Sequence, residues 1–216
     1  MSANINANSF DTGADDLERF ALEECVKRHR VDQRVSVLIL PDKRCEMAIK
    51  FARLGAQVIV AEQAELKPDI EGRILAAGLR DEIIFTPCAL PALPDELYGE
   101  PYDIIVIRRG LCSVPYEDAR RLVRQMLLKL KIGGKLYVSV LGLHSELSEG
   151  YAASEAGIDE RFSELAPALA EKYGIREPVC LYTERNLFML LLEAGASVLR
   201  TLTTTYGNVK GVAVRV

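Results

Sequence analysis

The sequence predicts an α/β fold: a doubly wound, mostly parallel seven-stranded sheet with helices on both faces and an antiparallel C-terminal hairpin strand. Three observations carry this. Short apolar runs rich in Val and Ile alternate with helical patterns along most of the chain, the signature of βαβ units. Glycines at 55, 78, 133–134 and 195 punctuate the ends of these patterns. The last two apolar runs are joined only by Tyr206-Gly207-Asn208, too short for a crossover helix, so they must pair antiparallel.

The elements follow in order. Residues 1–14 are polar and Asn-rich and read as a flexible N-terminal arm in front of a single domain over 15–216. Asp15 or Asp16 is placed to cap a helix reaching about residue 30, with Leu17, Phe20, Ala21 and Cys25 near one face. Residues 35–40 form a buried strand bounded by Pro41, and a helix over 46–54 packs Met47, Ile49, Phe51 and Leu54 before Gly55 ends it. A second strand covers 57–61. The next helix, 66–77, is expected to be broken early by Pro68. A third strand over 82–86 leads into a loop holding Pro87, Pro91, Pro94 and Pro101. The fourth strand is 102–107. Ala119, Leu122, Val123, Met126, Leu127 and Leu130 recur at helical spacing in a helix over 116–130, after which Gly133-Gly134 turns the chain into a fifth strand over 135–140. Residues 141–179 are less regular and read as a helical insertion or lid over the strand ends, centred on 159–173. Thr183 caps a last helix carrying Leu187, Phe188, Leu190, Leu191 and Leu192, and strands over 197–203 and 209–216 close the domain.

Composition narrows the class. A length of 216 residues suits one α/β domain. No apolar run approaches the roughly 20 residues of a membrane span, and the first residues lack the basic-then-apolar order of a secretory signal. A net charge of −4 does not indicate a nucleic-acid surface. Arg108, Arg109, Arg120, Arg121 and Arg124 would make a local basic patch, and they read as a solvated helix face. Five scattered cysteines with no CxxC pair, beside only two histidines, offer no metal site; an odd number of thiols fits a reducing cytoplasm.

Val37-Leu38-Ile39-Leu40, the turn Pro41-Asp42-Lys43-Arg44-Cys45, and then Val58-Ile59-Val60-Ala61-Glu62 have the layout of a nucleotide-binding βαβ unit with an acid at the second strand tip. From residue 33 to 216 the chain resembles the class I S-adenosylmethionine-dependent methyltransferases. The resemblance rests on Gly55-Ala56-Gln57-Val58-Ile59-Val60-Ala61-Glu62, on Tyr102-Asp103-Ile104-Ile105-Val106, on Leu130-Lys131-Ile132-Gly133-Gly134-Lys135-Leu136, and on Tyr182-Thr183-Glu184 leading to Leu191-Leu192-Glu193-Ala194-Gly195. It implies a cofactor site formed by Leu40, Pro41, Asp42, Lys43, Glu62, Cys88, Ala89 and Arg108, with Glu62 gripping the ribose hydroxyls.

The same resemblance exposes departures. Ile39 stands where the family has an acid, and Pro41, Lys43 and Cys45 stand at its three loop glycines. Those glycines let the backbone approach the methionine and ribose parts of the cofactor. Proline has no amide to offer, and side chains at 43 and 45 occupy ligand space. Pro87-Cys88-Ala89-Leu90 replaces the stretch that usually brings an acid to the adenine amine. Arg108-Arg109-Gly110-Leu111-Cys112 stands where the family borders the methyl group, without the Asn-Pro-Pro-aromatic pattern of many amino-group methyltransferases.

The expected function is therefore a methyltransferase-like protein with a degenerate cofactor pocket, acting as a non-catalytic partner, scaffold or regulatory subunit, with a protein partner or a homodimer formed through the N-terminal helix. An active S-adenosylmethionine-dependent methyltransferase on a small molecule stays open, with His144 as candidate base and Tyr151, Glu146 and Glu149 as candidate substrate contacts. So does binding of another nucleotide or phosphate by Lys43 and Arg44 at a helix N-terminus.

Overall fold

The computed structural model describes residues 16–31, 34–93, 97 and 101–216. The arm over 1–14, the cap at Asp15 and part of the proline-rich loop lie outside the described residues. The described strands are β1 (Ser36–Leu40), β2 (Gln57–Glu62), β3 (Ile83–Pro87), β4 (Tyr102–Arg108), β5 (Leu130–Val140), β6 (Phe162–Ser163), β7 (Val179–Cys180), β8 (Ser197–Thr203) and β9 (Val209–Val214). The helices are α1 (Asp16–His29), α2 (Glu46–Arg53), α3 (Lys67–Ala77), α4 (Tyr116–Lys129), α5 (Pro167–Tyr173) and α6 (Glu184–Glu193).

Seven strands form one sheet in the order β3-β2-β1-β4-β5-β9-β8. Strands β1 to β5 pair in parallel, and β9 inserts antiparallel between β5 and β8, as the short hairpin link requires. Alternation within each strand divides the core. Val37, Ile39, Val58, Val60, Ile104, Val106, Tyr137 and Val212 face α1, α2 and α3; Leu38, Leu40, Ile59, Ile105, Ile107, Leu136 and Val138 face α4 and α6. Strands covered on both faces must be apolar throughout, which is why their sequences are continuous rather than alternating runs.

Several boundaries differ from expectation for local reasons. Pro68 lies in the first turn of α3, where its missing amide has no intrahelical partner to lose, so it starts the helix rather than breaking it. Gly133-Gly134 do not precede β5 but lie inside it: Gly133 takes φ 76°, and its amide donates to the Arg215 carbonyl at 2.8 Å. The segment after β5 holds two short turns, the β6–β7 ribbon and α5, and it buries Leu147, Tyr151, Leu165, Leu169 and Tyr173 in the α4–α6 side of the core. Thr183 caps α6 as expected, its hydroxyl accepting from the Asn186 amide at 3.1 Å in a full capping box.

One buried acid ties the lower end of the sheet together. Asp103, fully buried at the start of β4, accepts from the Ser36 amide (2.9 Å), from Arg28 (3.3 Å) and from Lys131 (2.8 Å). Arg28 also donates to Glu24 (2.9 Å) and to the Gly133 carbonyl (2.6 Å), and Lys135 reaches Glu24 at 2.7 Å. These bonds fix α1 along β4 and β5. Removing the acid takes a partner from two cations and strands the Ser36 amide, so Asp103→Ala should cost about 3 kcal/mol in urea denaturation. Arg19→Ala, which removes exposed pairs to Asp16 and Glu23 and an exposed contact over the Phe20 ring, should cost about 1 kcal/mol or less.

Candidate functional site

In an open parallel sheet the loops at the carboxyl ends of the strands, on either side of the point where strand order reverses, carry the ligand. Here that point lies between β1 and β4. Leu40, at the end of β1, is buried against the α4–α6 core and offers the edge only backbone. Pro41 follows across a cis peptide.

The glycine-free turn closes by two devices. Asp42 is buried; its Oδ2 accepts from the Ala48 amide in the first turn of α2 at 3.1 Å, and its carbonyl accepts from the Cys45 amide at 3.0 Å. Cys45 supplies the bend itself, in the left-handed conformation with φ 57°. That conformation costs a residue with a Cβ roughly 1–2 kcal/mol. Burial pushes the Asp42 carboxyl up to about 6; the Ala48 amide and Arg108 act against this, while Glu46 and Glu62 add to it. Lys43 is exposed, and Arg44 lies 3.8 Å from Glu46.

Glu62, at the tip of β2, is 4% exposed. Its Oε1 accepts from the Gln63 amide at 3.0 Å, and its Oε2 is buried with no hydrogen-bond partner. Burial raises its pKa, with the Gln63 amide, Lys43 and the Asp42 amide acting the other way. The Cys88 amide extends the β2–β3 ladder by donating to the Glu62 carbonyl at 2.8 Å. The Cys88 thiol is raised by burial and by Glu62, so it behaves as a small apolar group. Ala89 is exposed and bridges to Ala92. An open cavity of about 440 Å³ lies beside these strand tips, lined by Gln63, Ala64, Glu65, Pro87, Cys88 and Ala89.

Beyond β4, half-buried Arg108 stands opposite Ser139 of β5, and Arg109 bends the chain with φ 60°. The two described non-glycine residues with positive φ, Cys45 and Arg109, thus follow the two strands at the switch point. Gly110 is where three loops meet. A Cβ placed on it would lie 2.8 Å from Leu90 Cδ1, 3.2 Å from Pro41 Cδ and 3.3 Å from Ile107 Cγ2. The loops after β1, β3 and β4 are in direct apolar contact there.

The remaining candidates divide by environment. His144 is exposed. The Tyr151 hydroxyl lies between the carbonyls of Arg161 and Val179, and burial pushes it up to about 12, so it ties the 141–179 segment together rather than facing a substrate. Glu146 is taken by Lys172 and Tyr173, whose hydrogen bonds lower its pKa. Arg120 pairs with Glu117 and Glu193, Arg121 pairs with Asp118, and Arg124 donates to the Glu193 carbonyl, so these three arginines are occupied along α4. Among the described residues no group of three or more His, Cys, Asp or Glu could hold a metal, and no helix is long and apolar enough to cross a membrane.

Two residues at this edge went unmarked in the sequence reading. Ser139 and Lys210 face each other across β5 and β9, both 4% exposed, and the Ser139 hydroxyl has no hydrogen-bond partner. A polar residue inside each of two apolar strand runs was the available signal.

No family model matches the sequence, and no curated protein matches it. Solved structures do. The chain superposes on an S-adenosylmethionine-dependent methyltransferase from Methanosarcina mazei with TM-score 0.67 and 21% identity, covering 87% of this chain and 96% of that one. A second such enzyme, from Clostridium acetobutylicum, gives TM-score 0.68 at 12% identity, covering 94% and 92%. The methyltransferase SibL gives TM-score 0.59 at 14% identity, and this chain, 94% covered, spans only 59% of SibL's length. The fold is that of the class I S-adenosylmethionine-dependent methyltransferases. Within it, β1, β2 and β4 bring the candidates Pro41, Asp42, Glu62 and Arg108 to one edge.

The raised Asp42 carboxyl sets a pH dependence. Its folded value of about 6 lies above the ordinary 3.8, so folding takes up a proton between them. Stability from this group is therefore full below about pH 4 and falls as pH rises through 6. Asp42→Asn keeps an oxygen for Ala48 and removes the charge. The variant should exceed the parent by about 1–3 kcal/mol at pH 8, with the gap closing toward pH 4, in denaturant titrations at both values.

Proposed function

We propose that this chain is a methyltransferase-fold protein whose cofactor pocket is closed, and that it acts as a non-catalytic partner or regulatory subunit in the cytoplasm. The observation that carries this reading is the meeting of Pro41, Leu90 and Gly110. By resemblance these loops border the methionine and ribose part, the adenine and the methyl group of S-adenosylmethionine respectively. A bound cofactor would hold them apart; here they fill the space between one another with apolar atoms. Pro41 offers no amide. The residues present therefore do not fit the cofactor where these three loops meet, and no methyl-transfer step is assigned to them.

One observation favours the alternative of an active methyltransferase on a small molecule. Glu62 keeps its place at the tip of β2 with a buried oxygen lacking a partner, and a ribose hydroxyl would satisfy it. The two readings separate by titration calorimetry. The parent chain should give no binding heat with S-adenosylmethionine below about 1 mM, whereas Pro41→Gly with Leu90→Ala, which clears the contact at Gly110, should bring binding into the micromolar range, a change of several kcal/mol. Glu62→Ala added to that pair should abolish it. A micromolar dissociation constant for the parent would replace the first reading with the second.

A partner surface is offered by α1. A groove of about 560 Å³ runs along its outer side, lined by Leu22, Val26 and Leu54 and flanked by Glu23, Lys27 and Arg30. The helix begins acidic (Asp16, Glu18) and ends basic (Lys27, Arg28, His29), so a second copy laid antiparallel on it is complementary in charge as well as in apolar surface. Sedimentation equilibrium should find a dimer that Val26→Asp converts to a monomer; a monomeric parent at about 100 μM would remove this partner from the proposal.

A further inference from the structure

The foot of the sheet, opposite the ligand edge, carries a projecting loop. Tyr102 pairs with Leu130 and Ile104 with Lys135, so a step of two residues on β4 faces a step of five on β5. The surplus residues, 131–134, stand out from the ladder. Their path is fixed by neighbouring elements. The Gly133 amide donates to the Arg215 carbonyl at 2.8 Å, the Arg215 amide donates to the Gly134 carbonyl at 3.0 Å, and Arg28 of α1 donates to the Gly133 carbonyl at 2.6 Å. A Cβ on Gly134 would lie 2.8 Å from the Lys131 carbonyl oxygen, so the loop closes because that residue has none.

Ile132 belongs to this loop and is 82% exposed. Leu128, 67% exposed in the last turn of α4, is tied to the same frame, because Arg215 donates to its carbonyl at 2.8 Å. Val31, 72% exposed, follows α1, its amide donating to the carbonyl of Arg28, which reaches the loop. Single exposed aliphatics are ordinary; three from separate elements, held at one end of the sheet, make a patch. The charge around them is positive. Residues 128–135 contain Lys129, Lys131 and Lys135 and no acid, in a chain whose net charge is −4. Two buried acids, Asp103 and Glu24, serve three cations, Arg28, Lys131 and Lys135, so positive charge is left over. Arg215, with the Leu128 and Leu130 carbonyls as its partners, adds to it. Asp81 and Glu82 precede β3, the far edge strand. Aliphatic tips among cations match the layers of a membrane surface, where apolar atoms enter the acyl boundary and cations meet anionic head groups. A single-stranded nucleic acid would be gripped by aromatic rings, and the described foot exposes no Phe or Tyr.

We propose that the foot of the sheet, led by Ile132 with Leu128 and Val31 beside it, docks on an anionic lipid surface. The aliphatic side chains enter the acyl boundary, and the surplus positive charge meets the head groups. The carboxyl edge, at the other end of the strands, then faces away from the lipid. The proposal is independent of whether the cofactor pocket is closed.

Cosedimentation of the full chain with phosphatidylcholine vesicles containing about one third phosphatidylserine, at about 50 mM salt, tests it. Binding should be at least about tenfold tighter than to phosphatidylcholine alone and should weaken as salt is raised. Ile132→Ser with Leu128→Ser, two exposed changes that leave the backbone frame intact, should weaken it at least about fivefold, whereas Ile132→Leu should keep the parent's affinity. The chain has no tryptophan, so Ile132→Trp introduces a single reporter. Its emission should shift to the blue on the anionic vesicles and be quenched by brominated lipid, while Glu65→Trp, at the ligand edge, should do neither. A parent that stays in the supernatant with both vesicles overturns the proposal. So does a double serine variant that binds as the parent does, or an Ile132→Trp variant that is neither shifted nor quenched. Retention on immobilised polyglutamate without any binding to vesicles also overturns it, assigning the face to an acidic protein instead.

Discussion

Asp103 is the constraint on which the rest of the molecule hangs. A fully buried carboxylate survives only with charged and hydrogen-bonding partners, and those it has come from β1, α1 and the first part of β5. It therefore sets the relative height of three elements. Through Arg28 it also sets the path of α1, which meets β5 at Gly133, Lys135 and Tyr137 in steps of one helical turn. A charge cluster at the foot of the sheet thus sets how α1 lies along β5.

At the head of the sheet the chain solves a backbone problem in an uncommon way. A strand-to-helix turn needs tight curvature and satisfied amides at the helix start. Glycines usually supply the first and a bound anion or capping side chain the second. Here Asp42 bonds into α2, and Cys45 accepts the left-handed bend despite its Cβ. The loop holds its bend without a glycine, and its surface packs against side chains of the neighbouring loops. At Gly110 the Pro41 ring gives the neighbouring loops an apolar wall to pack on.

The fold was legible because both of its signals are local. Continuous Val/Ile runs require a sheet covered on both faces, and a three-residue link cannot make a crossover. Errors arose where one residue type serves two positions. Proline at a helix start and proline inside a helix read alike, as Pro68 shows, and a glycine pair that ends an element looks like one that bends a strand, as Gly133 and Gly134 show. The candidate site was legible in part. Pro41, Asp42 and Glu62 follow from the βαβ layout and Arg108 from the resemblance, but Tyr151 and Glu146 looked like substrate contacts until their internal partners were visible.

The sequence by itself determined the succession of strands and helices, the two-sided core and the absence of loop glycines, because burial and backbone freedom are written residue by residue. Only the tertiary structure decided that Leu90 reaches Gly110, that the Glu62 carboxylate keeps an unsatisfied oxygen, and that Ser139 and Lys210 share a buried row. Each of these joins residues from separate strands, and only sheet pairing and the packing of long loops bring them within a few ångströms.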